Sequence, residues 1–545
     1  MTQQKIVNTL AQARRFVTQG CDAILVNGWR APEQYLISPC PVSTAISIIA
    51  LATSSTSFRK QIYNGLQYLD HCRNSDGGWG RTPHSASDKY ATLICNLAFA
   101  CAQKGVTPAA ISKVGSLIGT TWMQDVPDLL LNWPPHSPLM QLIKFFLTSS
   151  PGSNLLADIS YSQLPLVLAY LPPAGRPLLL ALAGIHGHAE FRNQRAFQNE
   201  IKKIPTFQSA NGGWCEDMVT TALCVLCLYL TGLNPSAQYR GLQWLVATQY
   251  ASGAWPSFNQ LINWDIGLFS HLLAQDSQYI HPLLRRCGQF LTMSVYTDGS
   301  FGITSPYAFP DTDDTAIALS GLAVYARIEP QHFALVTKTA EKLVQLQNPD
   351  GSWGTFPEVD GFPPNCHSRH PVHITSVDVS VHVLQALIQA NLPVDTPTIQ
   401  KGLRWLAQQQ SPSGSWKTIW FLGKVFATSQ ALELFVQLGV YPQHQKRAVN
   451  WLRDKQLPTG AWPNHTAGEC ALAISALLLS GEVPNSPSIQ MGLYYLQSIQ
   501  QANGSFKPGY AGVYAGGLYY EDPIAEALAV IQAITRYGRT LHQHT

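Results

Sequence analysis

Charge is scarce in this chain. Only 12% of its 545 residues are Asp, Glu, Lys or Arg, and the formal net charge is +3. With neither a basic surplus nor an acidic tail, nucleic acid is excluded as a partner. No apolar run reaches the roughly 18 residues that crossing a bilayer requires, so any membrane contact would be peripheral. A secretory leader pattern is also missing, because Lys5, Arg14 and Arg15 interrupt a polar, amphipathic opening segment. The expected location is cytoplasmic and reducing, with peripheral contact left open. Eleven cysteines are scattered, and the one close pair, Cys224 and Cys227, falls at i, i+3 in the apolar residues 221–230. Buried thiols are expected there, not a metal site or a redox pair. Strand-like alternation is scarce too, which points to an all-α fold.

What the chain has instead is aromatic surface, with 14 Trp, 21 Tyr and 20 Phe, more than an ordinary core needs. An aromatic-lined pocket follows, in a chain long enough for two domains. One pattern recurs along it: an aromatic residue then Leu at a helix end, Gln five positions after the aromatic, then Gly, and a closing Trp or Phe eleven positions after it. Copies close on Trp79, Trp214, Trp255, Phe301, Trp353, Trp416, Trp462 and Phe506. Apolar segments such as 315–325, 377–389, 427–438 and 467–479 lie between them, each long enough for a helix and each starting near Ser, Thr, Asp or Asn. Paired helices joined by glycine turns are expected, the closing aromatic stacking on the Gln of its own repeat. Rings of such pairs would gather helix N-termini around one mouth of a central hollow. The copies are evenly spaced from Trp214 onward, but about 135 residues separate the first two. Two (α/α) helical barrels are therefore expected, over residues 20–281 and 282–545.

Residues 309–316 read Phe-Pro-Asp-Thr-Asp-Asp-Thr-Ala and place Asp311, Asp313 and Asp314 within four positions, just ahead of an apolar helical run. A well-capped helix start explains one or two of these acids. A third adds like-charge repulsion that no cap requires, and crowded carboxylates are how proteins keep one of them protonated near neutral pH. The stretch is the candidate seat of acid chemistry.

An Asp-x-Asp-Asp stretch inside helical barrels decorated with Gln-to-Trp repeats resembles the class II terpene cyclases, which include squalene-hopene cyclases and class II diterpene cyclases. The similarity runs over most of the chain. It implies a βγ didomain in which the γ barrel is inserted after the first helix of the β barrel, so that residues 1–19 would form the N-terminal helix of the second barrel. Residues 378–383, Asp-Val-Ser-Val-His-Val, look like the segment whose histidine hydrogen-bonds the acid, which pairs His382 with the aspartate group and brings in Asp378. Residues 414–420 resemble the aromatic wall after a repeat, and residues 255–265 resemble the stretch preceding the acid motif. The charged pair usual there is not fully kept, so no role is carried onto Asp265.

By the same resemblance Asp313, the middle aspartate, is the acid that protonates an alkene, with Asp311 and Asp314 helping to retain its proton and His382 orienting it. Tyr307, Phe309, Trp264, Trp416, Trp420, Phe421, Tyr519 and Tyr520 are candidates to face the carbocation, each equally compatible with packing. The final base is not assigned. Asn365, His367, His370 and His373 are possible, although a solvated polar loop explains them as well, and with Arg369 they lack the partners of a zinc site. The compact chain resembles bacterial class II diterpene cyclases. The resemblance then implies geranylgeranyl diphosphate as substrate and a bicyclic labdane, halimane or clerodane diphosphate as product, such as copalyl or kolavenyl diphosphate. A drimenyl-type or squalene-hopene-type cyclase is the alternative. Lys417 and Lys424 would meet the diphosphate, with Mg²⁺ held by Asp76, Glu216 and Asp217. No second ionising Asp-Asp-x-x-Asp motif occurs, so the diphosphate should stay on the product, which a separate class I synthase could then use. Two rivals are a protein prenyltransferase β-subunit, whose zinc ligands cannot be assembled around Asp311, and a catalytically silent barrel.

Overall fold

The computed structural model describes residues 3–54, 57–83, 85–125, 168, 175–191, 195–273, 282–304, 309–355, 375–514 and 518–544. Within these, twenty α-helices and one two-stranded hairpin make up the regular structure, so the protein is an all-α, α/α toroid fold.

Helices rich in apolar residues form the inner walls. In the second half six of them, α10 (Ile262–Leu273), α12 (Thr312–Ile328), α14 (Val377–Gln389), α16 (Val425–Leu438), α18 (Ala467–Leu479) and α20 (Pro523–His544), each pack on the next, and α20 packs back on α10. Outside them lie the amphipathic α11 (Pro282–Ser294), α13 (Phe333–Gln345), α15 (Pro397–Gln408), α17 (Pro442–Lys455), α19 (Pro487–Ser498) and α1 (Gln3–Asn27). In the first half α2 (Pro41–Leu51), α4 (Lys89–Lys104), α6 (Arg176–Phe191) and α8 (Met218–Thr231) line the inside. There α3 (Arg59–His71), α5 (Pro108–Asp125), α7 (Arg195–Ile201) and α9 (Pro235–Ala247) lie outside. Each half has its own hydrophobic core. Ile262, Ile266 and Phe269 belong to the second core, so the helix that precedes residue 281 packs with the residues that follow it.

The first helix runs to Asn27 and not to residue 19. Its buried stripe, Ala13, Phe16, Val17, Cys21 and Ile24, continues past Gly20 without a break. Glycine is needed there for packing: a Cβ would lie 2.5 Å from Ile524 and 2.8 Å from Tyr35, so its absence lets α1 lie tightly on α20.

Hydrogen bonds pin the repeat turns. The Trp416 indole N–H donates to the Leu406 carbonyl at 2.7 Å, and Trp79, Trp214, Trp255, Trp353 and Trp462 repeat this ten-residue span. The Gln410 amide donates to the Gly414 carbonyl and to the His444 carbonyl of the next outer helix, both at 2.9 Å. At the closing end the backbone N–H of the aromatic donates to a hydroxyl in the first turn of the following inner helix: Phe301 to Thr315, Trp353 to Ser380, Trp416 to Thr428. The turns thereby fix where the inner helices begin.

A short hairpin, β1 (Gly512–Tyr514) and β2 (Leu518–Tyr520), carries the second half onto the first. Leu518 enters the first core, and Tyr514 stacks on Phe258 with ring centroids 4.3 Å apart.

Candidate active site

Two adjacent repeat turns place the acid and its histidine. The Phe301 turn clamps the start of α12 through Thr315, and the Asp311 N–H donates to the Phe301 carbonyl at 2.7 Å. Asp311 caps the helix, its carboxylate accepting from the N–H groups of Asp313 (2.7 Å) and Asp314 (3.2 Å). The Trp353 turn clamps the start of α14 through Ser380, and His382 follows two residues further along the helix. Across the gap, His382 Nδ1 lies 2.8 Å from Asp313 Oδ1. His382 is 3% exposed and Asp313 is 8% exposed, so the pair sits almost dry. The second oxygen of Asp313 has no hydrogen-bond partner among the described residues, although its side chain keeps 11% of its surface accessible.

The electrostatics favour a retained proton. Burial, then the charge of Asp313, push the Asp311 carboxyl up to about 8, even though two N–H groups hold it. Asp314 is raised well above the usual carboxylate range by burial and by Asp311 and Asp313. Its Oδ1 is buried without a partner among the described residues. Burial also raises Asp378, against the Thr418 hydroxyl and the Ile419 and Trp420 N–H groups, which donate to its Oδ2. Burial pulls the His382 imidazole down, but the charges of Asp313 and Asp378 outweigh it, and the ring titrates above its ordinary value. The group behaves as one titrating set.

Aromatic rings surround the pair. Trp264 meets the His382 ring edge-on at 5.2 Å, and Phe426 does so at 5.7 Å from the other side. Phe421 stacks on Phe426 at 3.5 Å. Trp420 packs on the second core with its N–H donating to Thr355 Oγ1 at 2.8 Å. Tyr520 crosses Phe258 edge-on at 5.0 Å, Tyr519 is partly buried beside it, and Phe309 is partly buried ahead of α12. Trp416 is a correction: fully buried, with its N–H on Leu406, it belongs to its own turn and not to a substrate-facing wall. Tyr307, Asn365, His367, Arg369, His370 and His373 lie outside the described residues.

This geometry has known counterparts. Residues 297–520 match the squalene-hopene cyclase C-terminal domain, and residues 41–123 match the prenyltransferase alpha-alpha toroid domain. Residues 297–520 thus carry a domain found in class II terpene cyclases. Its curated relatives are distant. A squalene–hopene cyclase of Zymomonas mobilis is 24% identical over 235 residues, 38% of this chain and 35% of that protein. The squalene–hopene cyclase of Alicyclobacillus acidocaldarius is 23% identical over 395 residues, covering 57% of this chain and 62% of that one. A drimenyl diphosphate synthase of Streptomyces showdoensis is 24% identical over 259 residues, 45% of each. The chain thus spans roughly a third to three fifths of these relatives. Among solved structures, ent-copalyl diphosphate synthase from Streptomyces platensis is 18% identical with a TM-score of 0.57, covering 98% of this chain and 100% of that one. That likeness speaks to the fold.

The cation and metal candidates matter as well. Lys417 and Lys424 are exposed, the latter at the start of α16. The three expected Mg²⁺ ligands are engaged locally. Asp76 Oδ1 accepts from the Gly78 N–H (2.9 Å) and the Ser87 hydroxyl (2.7 Å). Glu216, in left-handed backbone with a φ of 54°, gives one oxygen to the Asn211 amide and the other to the Asn259 amide. Asp217 caps α8 on Thr220 and accepts from the Tyr514 hydroxyl. These side chains do not fit a shared Mg²⁺ site, and no cluster of three His, Cys, Asp or Glu suited to a metal occurs among the described residues. No helix there is long and apolar enough to cross a membrane.

Sequence reading missed Phe426, and it missed that five of the six inner helices of the second ring begin with a buried acid. Besides the aspartates of α12 and Asp378 of α14, these are Asp265, Glu469 and Asp522, the last with a half-buried Glu526 nearby. A single acid at a helix start reads as an ordinary cap.

Proposed function

We propose that the protein is a class II, protonation-initiated diterpene cyclase that converts geranylgeranyl diphosphate to a bicyclic C20 diphosphate of the labdane, halimane or clerodane type. The observation that carries this reading is the buried 2.8 Å contact between His382 and Asp313 beside two further carboxyls held toward their neutral forms.

An isolated alkene is a very weak base, so the acid must be neutral, aimed and dry. Asp313 is placed for this role: His382 holds one oxygen, the other has no hydrogen-bond partner among the described residues, and Asp311 and Asp314 beside it are held toward their neutral forms. As its proton leaves for the terminal double bond, the carboxylate left behind faces His382, whose raised proton affinity lets it carry the compensating charge. The cation migrates along the folded polyene past aromatic faces, each worth about 0.5 to 2 kcal/mol to a nearby cation, which offer no lone pair to trap it. Loss of a proton to a base ends the cascade. The diphosphate takes no part in the bond changes and remains on the product, available to a separate class I synthase.

Incubating the purified protein with geranylgeranyl diphosphate, dephosphorylating and analysing by mass spectrometry tests the reading. Parallel arms use farnesyl diphosphate and squalene, each with Mg²⁺ and with EDTA. A cyclised C20 alcohol is the expected result. Preference for farnesyl diphosphate would instead assign a drimenyl-type activity, and turnover of squalene alone a hopene-type one. An EDTA-insensitive rate would separate the chemistry from any Mg²⁺ bound with the diphosphate.

A further inference from the structure

Asp265 and Asp522 are not used by that scheme, yet they lie against it. Gly267 brings α10 close to α12, where an added Cβ would stand 2.6 Å from the Ile317 carbonyl oxygen, and this close approach sets the first turn of α10 beside that of α12. Asp265, 1% exposed, is thereby placed next to Asp314, while ring closure by α20 puts Asp522, 9% exposed, on its other side. Asp522 caps α20, its Oδ1 accepting from the N–H groups of Ile524 and Ala525 at 3.0 Å. The remaining Asp522 Oδ2, Asp265 Oδ1 and Asp314 Oδ1 are all buried with no N–H or O–H donor among the described residues. The Asp265 and Asp522 carboxyls nevertheless lie within hydrogen-bonding reach of each other, and two carboxyls can form such a bond only with a proton between them. Asp522 holds helix N–H groups that favour its charged form and Asp265 holds none among the described residues, so the proton resides on Asp265.

We infer that Asp265 and Asp522 share one proton and act as positioning residues, a buried acid–carboxylate pair whose single negative charge opposes ionisation of the Asp311–Asp313–Asp314 set. The inference rests on the reading of Asp313 as the acid. Burial and then the charges of Asp522 and Asp314 raise Asp265, and the repulsion is mutual. The other titratable groups facing the pair are Cys21 from α1, Cys287 from α11, Tyr520 and Glu521 from the hairpin end, and Glu526 from α20 itself. None of them brings a positive charge that would cancel the effect.

The two members should respond differently to isosteric replacement. Asp265→Asn supplies an N–H in place of the acid proton, so the alkaline limb of the kcat profile should stay within about 0.3 pH unit of wild type. Asp522→Asn keeps the cap but removes the charge, so the limb should move to lower pH by about one unit. A uniform loss of turnover with an unmoved limb in Asp522→Asn would reduce the pair to a structural role and overturn the inference. Infrared spectroscopy of the substrate-free protein reads the proton directly. One protonated-carboxyl band should vanish in Asp265→Asn and shift in Asp522→Asn; a spectrum unchanged in Asp265→Asn also overturns it. Should wild type turn over no prenyl diphosphate, the acid reading fails while the infrared arm still decides the shared proton.

Discussion

Gln500 Nε2 donates to the carbonyl of Thr9, 491 residues earlier in the chain, at 3.0 Å. In the other turns of the second ring that carry Gln, this amide reaches the outer helix next in sequence: Gln347 to Thr398, Gln410 to His444 and Gln456 to Ser488. Among the described residues no outer helix follows residue 506, and α1 takes its place. Gly504, with a φ of 93°, lies against the Gln12 carbonyl at the same seam, where any side chain would collide. The first ring is sealed the same way, by Gln249 on the Gln61 carbonyl at 2.8 Å. Each toroid is thus closed by a repeat turn reaching back to an early helix, and the mouth bearing the aspartates depends on that closure.

Gln500→Ala should weaken the seam. It removes one hydrogen bond from each of the Thr9 and Gly504 carbonyls, at a cost of about 0.5–1.5 kcal/mol per bond. Hydrogen exchange should show α1 losing protection first, before α12 or α14. Unchanged protection in α1 would mean that apolar packing on α20 closes the ring without the turn.

Asp313→Asn should leave melting temperature and helix content close to wild type, because Asn fills the same space beside His382. Cyclisation should drop by about a hundredfold to ten-thousandfold, the range that general acid catalysis supplies, since no neighbour can take over its geometry. Turnover within tenfold of wild type, measured by product formation, would remove Asp313 as the acid.

His382→Gln should act on kcat more than on KM, since the ring meets Asp313, Trp264 and Phe426 and reaches the substrate only through them. A fall of about a hundredfold in kcat is expected, with KM changed by less than about threefold. A rise in KM at constant kcat would make His382 a binding residue instead.

The acid stretch was legible because Pro310 and Asp311 ahead of an apolar run announce a helix start, and the third carboxylate exceeded what a cap needs. His382 was not legible from spacing. It lies 69 residues from Asp313, and the resemblance supplied it. The physical link is the pair of hydroxyls, Thr315 and Ser380, that bond the closing aromatics of adjacent turns and bring two helix starts level. Asp265 and Asp522 stayed hidden for a related reason: each looks like a cap until ring closure brings α10 and α20 together. The reverse error befell Asp76, Glu216 and Asp217. Beside glycine turns they look available to a cation, whereas backbone N–H groups, amides and hydroxyls already hold them. Trp416 and Trp420 share one aromatic run, and only the partner of each indole N–H, Leu406 or Thr355, separates scaffold from site.

The same buried acids should make stability fall as pH rises through neutrality. Asp311, Glu521 and Glu526 titrate near 8 in the fold and Glu469 near 7, burial being the main cause, against ordinary values of 3.8 to 4.5. Between those limits the folded chain binds more protons than the unfolded one, so stability declines with rising pH. His186 and His271, pushed down to about 4 by burial, act oppositely, but their effect is complete above 6.5. From pH 6.5 to 8 the carboxyls therefore act unopposed, and the raised titration of His382 has the same sign. Each displaced unit is worth on the order of 1 kcal/mol, and the melting temperature should fall by a few degrees across this window. Asp311→Asn should flatten the slope, because it removes one of the four contributing carboxyls while keeping a cap for α12. A melting temperature that rises from pH 6.5 to 8 would mean that these carboxyls are charged in the folded protein, and the proton-holding mouth on which the acid depends would not exist.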